Sequence, residues 1–515
     1  MDERIRRHSV EYWAAVKPHA TAIIDGENTV SWETLNARAD ALADSLAERG
    51  LGADDIIVTR CRIRHEWAVV AAAAAKLGCR LLGLNWRLTL HECQFILRDS
   101  GAKAIFFDDE DPEPLSSALR ESGLSIAVTL DTQAPGVIDY AGLLTRTAPG
   151  RFSLGHAPLI IYTSGTTSLP KGVLPRVVPP AEADQLGAYH AELAASRDLV
   201  AGDVVMITMP FHHASGPWQV RSNMDLGNTL VFVRRFEPEQ ALADIQRWRV
   251  TSWAGVPTMF KRLSALPSEV LNSYDVSSIR ILYVGGAPTP STLKDWIIDY
   301  FGQRLQEGYG STELGMVAIL PADMQRQKPL SAGRVLDTVD VSVRDPSGHE
   351  LPPDAPGRIW FRSPGMLSGY INHPPLGPDV MDDRGFFRSG DCGYLDSERY
   401  LYITDREVDM VISGGVNIYP AEIEAAILRH PAIQDVAVIG VPDEEFGERL
   451  LAFCELAPET TATEPEIITH TRNLVASYKV PKHVEFVDEL PRNSVGKLLK
   501  RVLRDPYWNN AERNI

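Results

Sequence analysis

The segment Tyr162-Thr-Ser-Gly-Thr-Thr-Ser-Leu-Pro-Lys-Gly172 places six hydroxyl-bearing or glycine residues in a row behind an apolar run. Backbone N–H groups and hydroxyls in such a loop can wrap the oxygens of a polyphosphate, and Lys171 adds a point charge. It is not a Walker A loop, which needs Gly-Lys-Ser/Thr; here Lys171 follows Pro170. A mobile polar linker is the alternative. Further groups able to do phosphate chemistry are Glu313 at the end of Glu307-Gly-Tyr-Gly-Ser-Thr-Glu, Asp391 in Arg388-Ser-Gly-Asp, and Lys497 in Asn-Ser-Val-Gly-Lys. A carboxylate near phosphates can hold Mg²⁺, a second carboxylate can accept from two ribose hydroxyls, and an ammonium can stabilise charge where two anions meet.

The elements that must position these groups read as alternating strands and helices. Asp55-Ile-Ile-Val-Thr, Arg80-Leu-Leu-Gly-Leu, Ala104-Ile-Phe-Phe, Pro158-Leu-Ile-Ile-Tyr, Asp203-Val-Val-Met-Ile-Thr-Met, Thr229-Leu-Val-Phe-Val and Ile279-Arg-Ile-Leu-Tyr-Val are apolar runs of strand length. Helical patterns separate them, among them Glu66 to Lys76 and one opening at Ser31 in capping-box style. Alternation at this spacing implies a largely parallel α/β sheet. From Gly333 to Tyr370 short strands such as Val339-Asp-Val-Ser-Val and Arg358-Ile-Trp-Phe-Arg are punctuated by Gly and Pro, which predicts a small antiparallel β subdomain. After about Asp405 a helix opening at Tyr419-Pro-Ala-Glu and strands at Val436-Ala-Val-Ile-Gly and Glu485-Phe-Val predict a separate α+β domain. The expected organisation is an N-terminal domain over residues 1–404, a hinge at 405, and a C-terminal lid over 406–515.

Composition sets the bounds. The 515 residues are 44% hydrophobic and 23% charged, as in an ordinary globular chain with a large core. The net charge of -17 argues against nucleic acid as a partner, though not against a local phosphate pocket. Cys61, Cys79, Cys93, Cys392 and Cys454 form no CxxC pair, so neither a disulfide framework nor a cysteine zinc site is expected. The N-terminus lacks an apolar h-region, and the apolar stretch from Trp67 to Trp86 contains Lys76 and Arg80. A cytoplasmic protein without stable membrane insertion is the expectation. Oligomeric state stays open, with a homodimer the default among soluble oligomers.

The Tyr162–Gly172 segment resembles the phosphate-binding signature of the adenylate-forming enzymes, which include acyl-CoA synthetases, nonribosomal adenylation domains and luciferases. Further segments match in the family's order: Pro210-Phe-His-His-Ala-Ser-Gly216, Gly285-Gly-Ala-Pro288, Glu307 to Glu313, Arg388 to Asp396, Thr404 to Glu424, and Pro491 to Lys500. The resemblance implies activation of a carboxylic acid by ATP to an acyl-adenylate with release of pyrophosphate, then transfer to the thiol of coenzyme A. It implies Lys497 as the catalytic lysine and Glu313 as the Mg²⁺ ligand. Thr163, Ser164, Gly165, Thr166, Thr167 and Lys171 would hold phosphates, with Thr166 and Thr312 adding hydroxyl contacts near the metal. The backbone of Glu307, Gly308 and Gly310 and the ring of Tyr309 would meet the adenine. Gly286, Ala287 and Pro288 would line its slot. Asp391 would clamp the ribose, reinforced by Arg406.

Asp405 sits where the family hinges between an adenylating and a thioester-forming pose, and Ser413, Gly414 and Gly415 would border the thiol tunnel in the second. His213 aligns with the family's aromatic gate. Trp218, Val256, Gly285, Gly308 and Met316 could shape the acyl pocket, which suits a hydrophobic acid. Amino-acid-activating members usually carry an Asp in the Pro210–Gly216 segment; this chain has His212 and His213. There are departures. Ser168 replaces a common Gly, Val-Leu-Pro-Arg follows Gly172, Arg358 stands where Glu is usual, Phe387 replaces a frequent Trp, and Glu407 and Val408 occupy often basic positions. The rival readings are an enzyme loading a carrier-protein phosphopantetheine and a non-catalytic nucleotide- or acyl-binding relative. Medium-chain, aryl, carnitine-like and bulky alicyclic or terpenoid acids are not distinguished. Lys497→Ala is expected to slow adenylation on the order of 10²–10³-fold; wild-type rates of pyrophosphate release in that variant would refute the assignment.

Overall fold

The computed structural model describes residues 7–109, 115, 119, 123–131, 135–145, 150–153, 155–163, 170–176, 179–287, 289–406, 409–413, 416–443, 446–475, 477–492 and 498–508. The apolar runs become strands of two large sheets. One sheet runs, in spatial order, Leu367–Tyr370, Lys171–Pro175, Leu159–Thr163, Arg80–Gly83, Ile56–Arg60, Ala104–Phe107, Ile126–Thr129 and Ile138–Asp139. From Leu159–Thr163 to Ile138–Asp139 the pairs are parallel. The second sheet has 13 strands. Its middle, from Leu305–Ser311 through Ile281–Gly285, Ser252–Gly255, Val204–Ile207 and Thr229–Phe232 to Thr21–Asp25, is parallel.

The helices Trp32–Ala47 and His65–Leu77 fill the space between the sheets. Trp32, Leu35, Leu42, Trp67 and Ala73 of these helices share one core with Ile57, Leu81 and Phe106 of the first sheet and Ile23, Val205 and Phe232 of the second. Strands buried on both faces need no polar alternation, which is why they read as continuous apolar runs. Ser31 caps its helix by accepting from the Thr34 N–H, but Glu33 does not close a capping box. Full boxes occur at Thr89 with Glu92 and at Thr463 with Glu466. Lys76, inside the apolar stretch, is buried against Glu11 at 2.8 Å and Asp40 at 3.0 Å. Burial alone would push the Glu11 carboxyl up; the ammonium outweighs it and holds the group below the usual range. No helix among the described residues is long and apolar enough to cross a membrane.

The antiparallel strands expected after Gly333 are present at Gly333–Val335, Asp340–Arg344, Gly357–Arg362, Phe387–Leu395 and Tyr400–Arg406. They continue the edge of the 13-stranded sheet by hydrogen bonding. The C-terminal part forms its own sheet, from Val411–Ser413, Val416–Ile418, Ile433–Asp443, Gly447–Leu456 and His483–Phe486, with the helices Pro420–Ile427 and Glu464–Arg472 packed on it. Asp405 lies within a strand, paired with Cys392. All five cysteines are buried and none forms a disulfide.

The two large sheets come closest at Gly83. A Cβ there would collide with the Phe211 carbonyl oxygen and lie 2.7 Å from the His212 Cα. Only glycine permits this approach, and Phe211 in turn stacks on Trp67 with ring centroids 4.2 Å apart. Gly83→Ala should force the sheets apart at this point, with a stability loss of about 1–3 kcal/mol in urea unfolding. An unchanged midpoint would show that the contact is slack.

Candidate active site

The Ser/Thr/Gly segment of the sequence lies between the antiparallel strands Leu159–Thr163 and Lys171–Pro175, in which Thr163 and Lys171 are register partners. Both stem residues are half-buried. The Thr163 hydroxyl donates to Glu313 Oε1 at 3.3 Å, and the Glu313 carbonyl accepts from the Leu367 N–H at 2.7 Å. Lys171 lies over the Tyr370 ring at 5.5 Å. Burial, helped by the negative charge of Glu313, pushes the Tyr370 hydroxyl up to about 12. Among the described residues Glu313 has no cationic partner. A carboxylate bonded to a hydroxyl, without a counter-charge among the described residues, fits a Mg²⁺ ligand.

Glu307 to Ser311 lie on the strand Leu305–Ser311, which turns back into Gly315–Leu320. Alternation along the strand separates the functions of neighbouring residues. Glu307 turns to the helix Ser291–Phe301, where Lys294 pairs with it at 2.5 Å, and burial pushes its carboxyl up. Gly308 turns to the opposite face, level with Gly285 of the neighbouring strand. Tyr309 donates its hydroxyl to Asp391 Oδ2, and its ring lies 5.9 Å from Phe361. Asp391 is in register with Arg406, of which only the backbone is described. Gly286 has φ 84, and a Cβ placed on it would lie 3.7 Å from Val256 Cγ1; the adjacent Ala287 is half-exposed. Gly310 presses on Gly315 and Thr312 is half-buried. Ser164, Gly165, Thr166, Thr167, Pro288, Gly414, Gly415 and Lys497 lie outside the described residues.

The acyl-pocket candidates are contiguous. A Cβ on Gly308 would strike the Tyr283 hydroxyl and lie 2.9 Å from Met316 Sδ. Tyr283 and Gly285 share a face of one strand. Trp218 and Met316 join the same apolar cluster. The Pro210–Gly216 turn leads into the helix Ser215–Asp225 and sets His212 and His213 side by side, ring centroids 4.6 Å apart. Both His212 nitrogens and His213 Nε2 are buried without a hydrogen-bond partner among the described residues. Burial, then the neighbouring His213 and Arg87, pull His212 down to about 3, and burial pulls His213 down to about 4.

Asp405, near the end of the strand Tyr400–Arg406, is buried and accepts from the Ala421 N–H at 3.0 Å, in the first turn of Pro420–Ile427. Ser413 is paired with Val416 and Gly447. Of the lysines clustered in this part, Lys479 pairs with Glu422 at 2.6 Å and Lys500 with Glu424 at 2.8 Å. Sequence reasoning missed Tyr283, Tyr370 and Arg197, whose guanidinium packs on Tyr283 and Trp218. Only the alternation Tyr283-x-Gly285 along a recognised strand could have pointed to the first.

A profile described as AMP-binding enzyme matches residues 10–371, and one described as AMP-binding enzyme C-terminal domain matches residues 422–497. The chain is 32% identical to a feruloyl-CoA synthase of Amycolatopsis sp, over 95% of this chain and 96% of that protein. It is 29% identical to the fatty acid–[acyl-carrier-protein] ligase ScoC of Streptomyces coeruleorubidus, over 98% of this chain and 97% of that protein. Among solved structures, ATP-bound MatB from Rhodopseudomonas palustris superposes with a TM-score of 0.86 at 28% identity, covering 98% of this chain and 100% of that one.

The histidine pair makes acid stability testable. An unfolded histidine titrates near 6.5, so below that pH the unfolded chain binds protons that folded His212 and His213 refuse. Their contribution is present above about pH 6.5 and is lost as pH falls toward 4 and 3, at about 1.4 kcal/mol per pH unit for each group. Urea midpoints measured from pH 7 to 5 should fall less steeply in the His212→Phe/His213→Phe variant than in the wild type. Parallel slopes would place the protons elsewhere.

Proposed function

The chain belongs to the AMP-binding enzyme family, and on that premise we propose that it activates a hydrophobic carboxylic acid with ATP and Mg²⁺ and passes the acyl group to coenzyme A. The observation that carries this reading is the convergence of Thr163, Lys171, Glu313, Tyr309 and Asp391, drawn from three separate segments, through one hairpin and two side-chain hydrogen bonds. Acid activation is a displacement at the α-phosphate, and both reactants are anions. The work of the protein is therefore to hold them in line and to offset charge.

In this reading Thr163 and Lys171, at the two ends of the phosphate loop, fix its mouth, and Lys171 faces the outgoing pyrophosphate. Glu313, positioned by Thr163, would hold Mg²⁺, which supplies charge neutralisation on the phosphates. Asp391 accepts from the ribose hydroxyls while the Tyr309 hydroxyl keeps its carboxylate oriented. The Tyr309 ring and the backbone of Gly308, Gly310, Gly286 and Ala287 form the adenine slot. Lys497 delivers the positive charge between carboxylate and α-phosphate. Domains divide at Asp405, whose bond to Ala421 couples the end of the N-terminal sheet to the first lid helix. His213, neutral at working pH, gates the thiol path as an uncharged ring, with Ser413 on the lid side. The absence of a carboxylate in Pro210–Gly216 supports a substrate without an ammonium group.

The carrier-loading alternative is favoured by the similarity to a carrier-protein ligase over nearly the full chain. A pyrophosphate-release screen over chemically diverse acids should find acid-dependent turnover. Mass spectrometry with coenzyme A or a phosphopantetheinylated carrier as acceptor should then find the CoA thioester. Thioester on the carrier alone would reassign the acceptor, and no acid-dependent pyrophosphate from any acid would remove the adenylating reading.

A further inference from the structure

Arg197 follows the helix Ala183–Ser196 and is buried, with 8% of its surface exposed. Its guanidinium lies 3.8 Å from the centroid of the Tyr283 ring and 4.4 Å from that of Trp218. No side-chain hydrogen bond or ion pair ties it down among the described residues. The carboxylates nearest in sequence are engaged elsewhere: Asp198 and Asp203 pair with Arg280, and Glu192 accepts from Thr338. Burial accordingly holds the Arg197 pKa below the ordinary arginine value, with Tyr283 the only group acting against it.

A guanidinium left in this way is chemically unusual. Burying a cation without a counter-charge is costly, and ring faces offset only part of that cost. A guanidinium packed against rings can still donate N–H bonds in its own plane. Tyr283 is the residue whose hydroxyl stands over Gly308, next to Met316. Trp218 is in the same cluster. Arg197 therefore packs on two aromatic residues that, in the adenylating reading, bound the acyl pocket.

We propose that Arg197 is a specificity determinant at the far end of the acyl pocket, and that the acid taken up has an apolar body with an oxygen acceptor, a carboxylate or a phenol, at the end remote from the reacting carboxyl. This rests on the adenylating reading of the same site and narrows its substrate class. A remote carboxylate would accept two parallel N–H bonds from the edge of the guanidinium; a phenol oxygen would accept one or two.

The test compares matched acids: hydrocinnamate with its para-hydroxy and para-carboxy derivatives, and octanoate with octanedioate. Acid-dependent pyrophosphate release is measured for the wild type, Arg197→Met and Arg197→Lys, each checked by circular dichroism. The wild type should favour the oxygen-ended member of at least one pair by about 10-fold or more in kcat/KM, since a site built to hydrogen-bond a group discriminates against its absence. Arg197→Met should bring that ratio to within about 3-fold. Arg197→Lys, with the charge but not the fork, should keep more of a carboxylate preference than of a phenol preference. Ratios unchanged in Arg197→Met would overturn the proposal, and a lowered melting temperature with unchanged ratios would make the residue structural. If Arg197→Met does not fold, Arg197→Lys and Arg197→Gln carry the same comparison. If no acid releases pyrophosphate from the wild type, the adenylating reading fails by itself. Binding of the same pairs, followed by tryptophan fluorescence, then decides: a far-end preference that Arg197→Met loses supports the role, and no preference removes it.

Discussion

At Gly83 the end of an interior strand of one sheet rests on the main chain that follows a strand of the other, and the Pro210–Gly216 turn is held by that contact. The sheets are otherwise kept apart by two helices packed between them. Where they meet without an intervening side chain, the Pro210–Gly216 turn is pressed against the first sheet. The direction of the helix Ser215–Asp225, and with it Trp218, follows from that turn. The phosphate side is built differently, from a hairpin that adjoins the same strand: Leu159–Thr163 pairs directly with Arg80–Gly83. A single short strand thus borders both the Leu159–Thr163 stem and the Pro210–Gly216 turn.

The handling of charge separates scaffold from site. Lys76, Arg64, Lys294 and Lys500 are all withdrawn from solvent, and each meets a carboxylate. These pairs are satisfied internally, and breaking one would leave a lone buried charge. Glu313 and Arg197 depart from the pattern in opposite senses, an anion and a cation without a counter-charge among the described residues. In the proposed reading they would stand at the two ends of the site, one by the metal and one by the far acyl pocket. A net charge of -17 describes neither. A nucleotide site is made by a few placed groups, and the global balance reports on the solvated surface.

Much of this is legible in the chain and some is not, for definable reasons. Doubly buried strands announce themselves as apolar runs, so Ile56–Arg60, Ala104–Phe107 and Ile281–Gly285 can be read to within two residues. The ordered motifs single out Thr163, Glu313, Tyr309 and Asp391, and the fold joins them in two hydrogen-bonded pairs. Side-chain direction is harder. Glu307 and Gly308 are adjacent, yet one turns to Lys294 and the other to the pocket, a consequence of strand pleating that a motif does not state. Asp405 combines the proposed pivot with a carboxylate at a helix start, two roles that the sequence presents as alternatives. The antiparallel subdomain is recognisable by its punctuation, while its fusion to the edge of the larger sheet depends on pairings between segments far apart in sequence. Arg197 is invisible in the chain because its meaning comes from Trp218 and Tyr283, which only the fold brings to it.

The five cysteines lie beneath the surface, and burial raises the thiols of Cys79 and Cys454 to about 12 and shifts Cys61 and Cys93 upward as well. An acyl-adenylate is a promiscuous acylating agent, and a thiolate within reach would intercept it. A protein that makes such an anhydride gains chemical fidelity from keeping its thiols buried. Self-acylation and mixed disulfides with the acceptor are suppressed by packing, through the same low dielectric that stabilises the core.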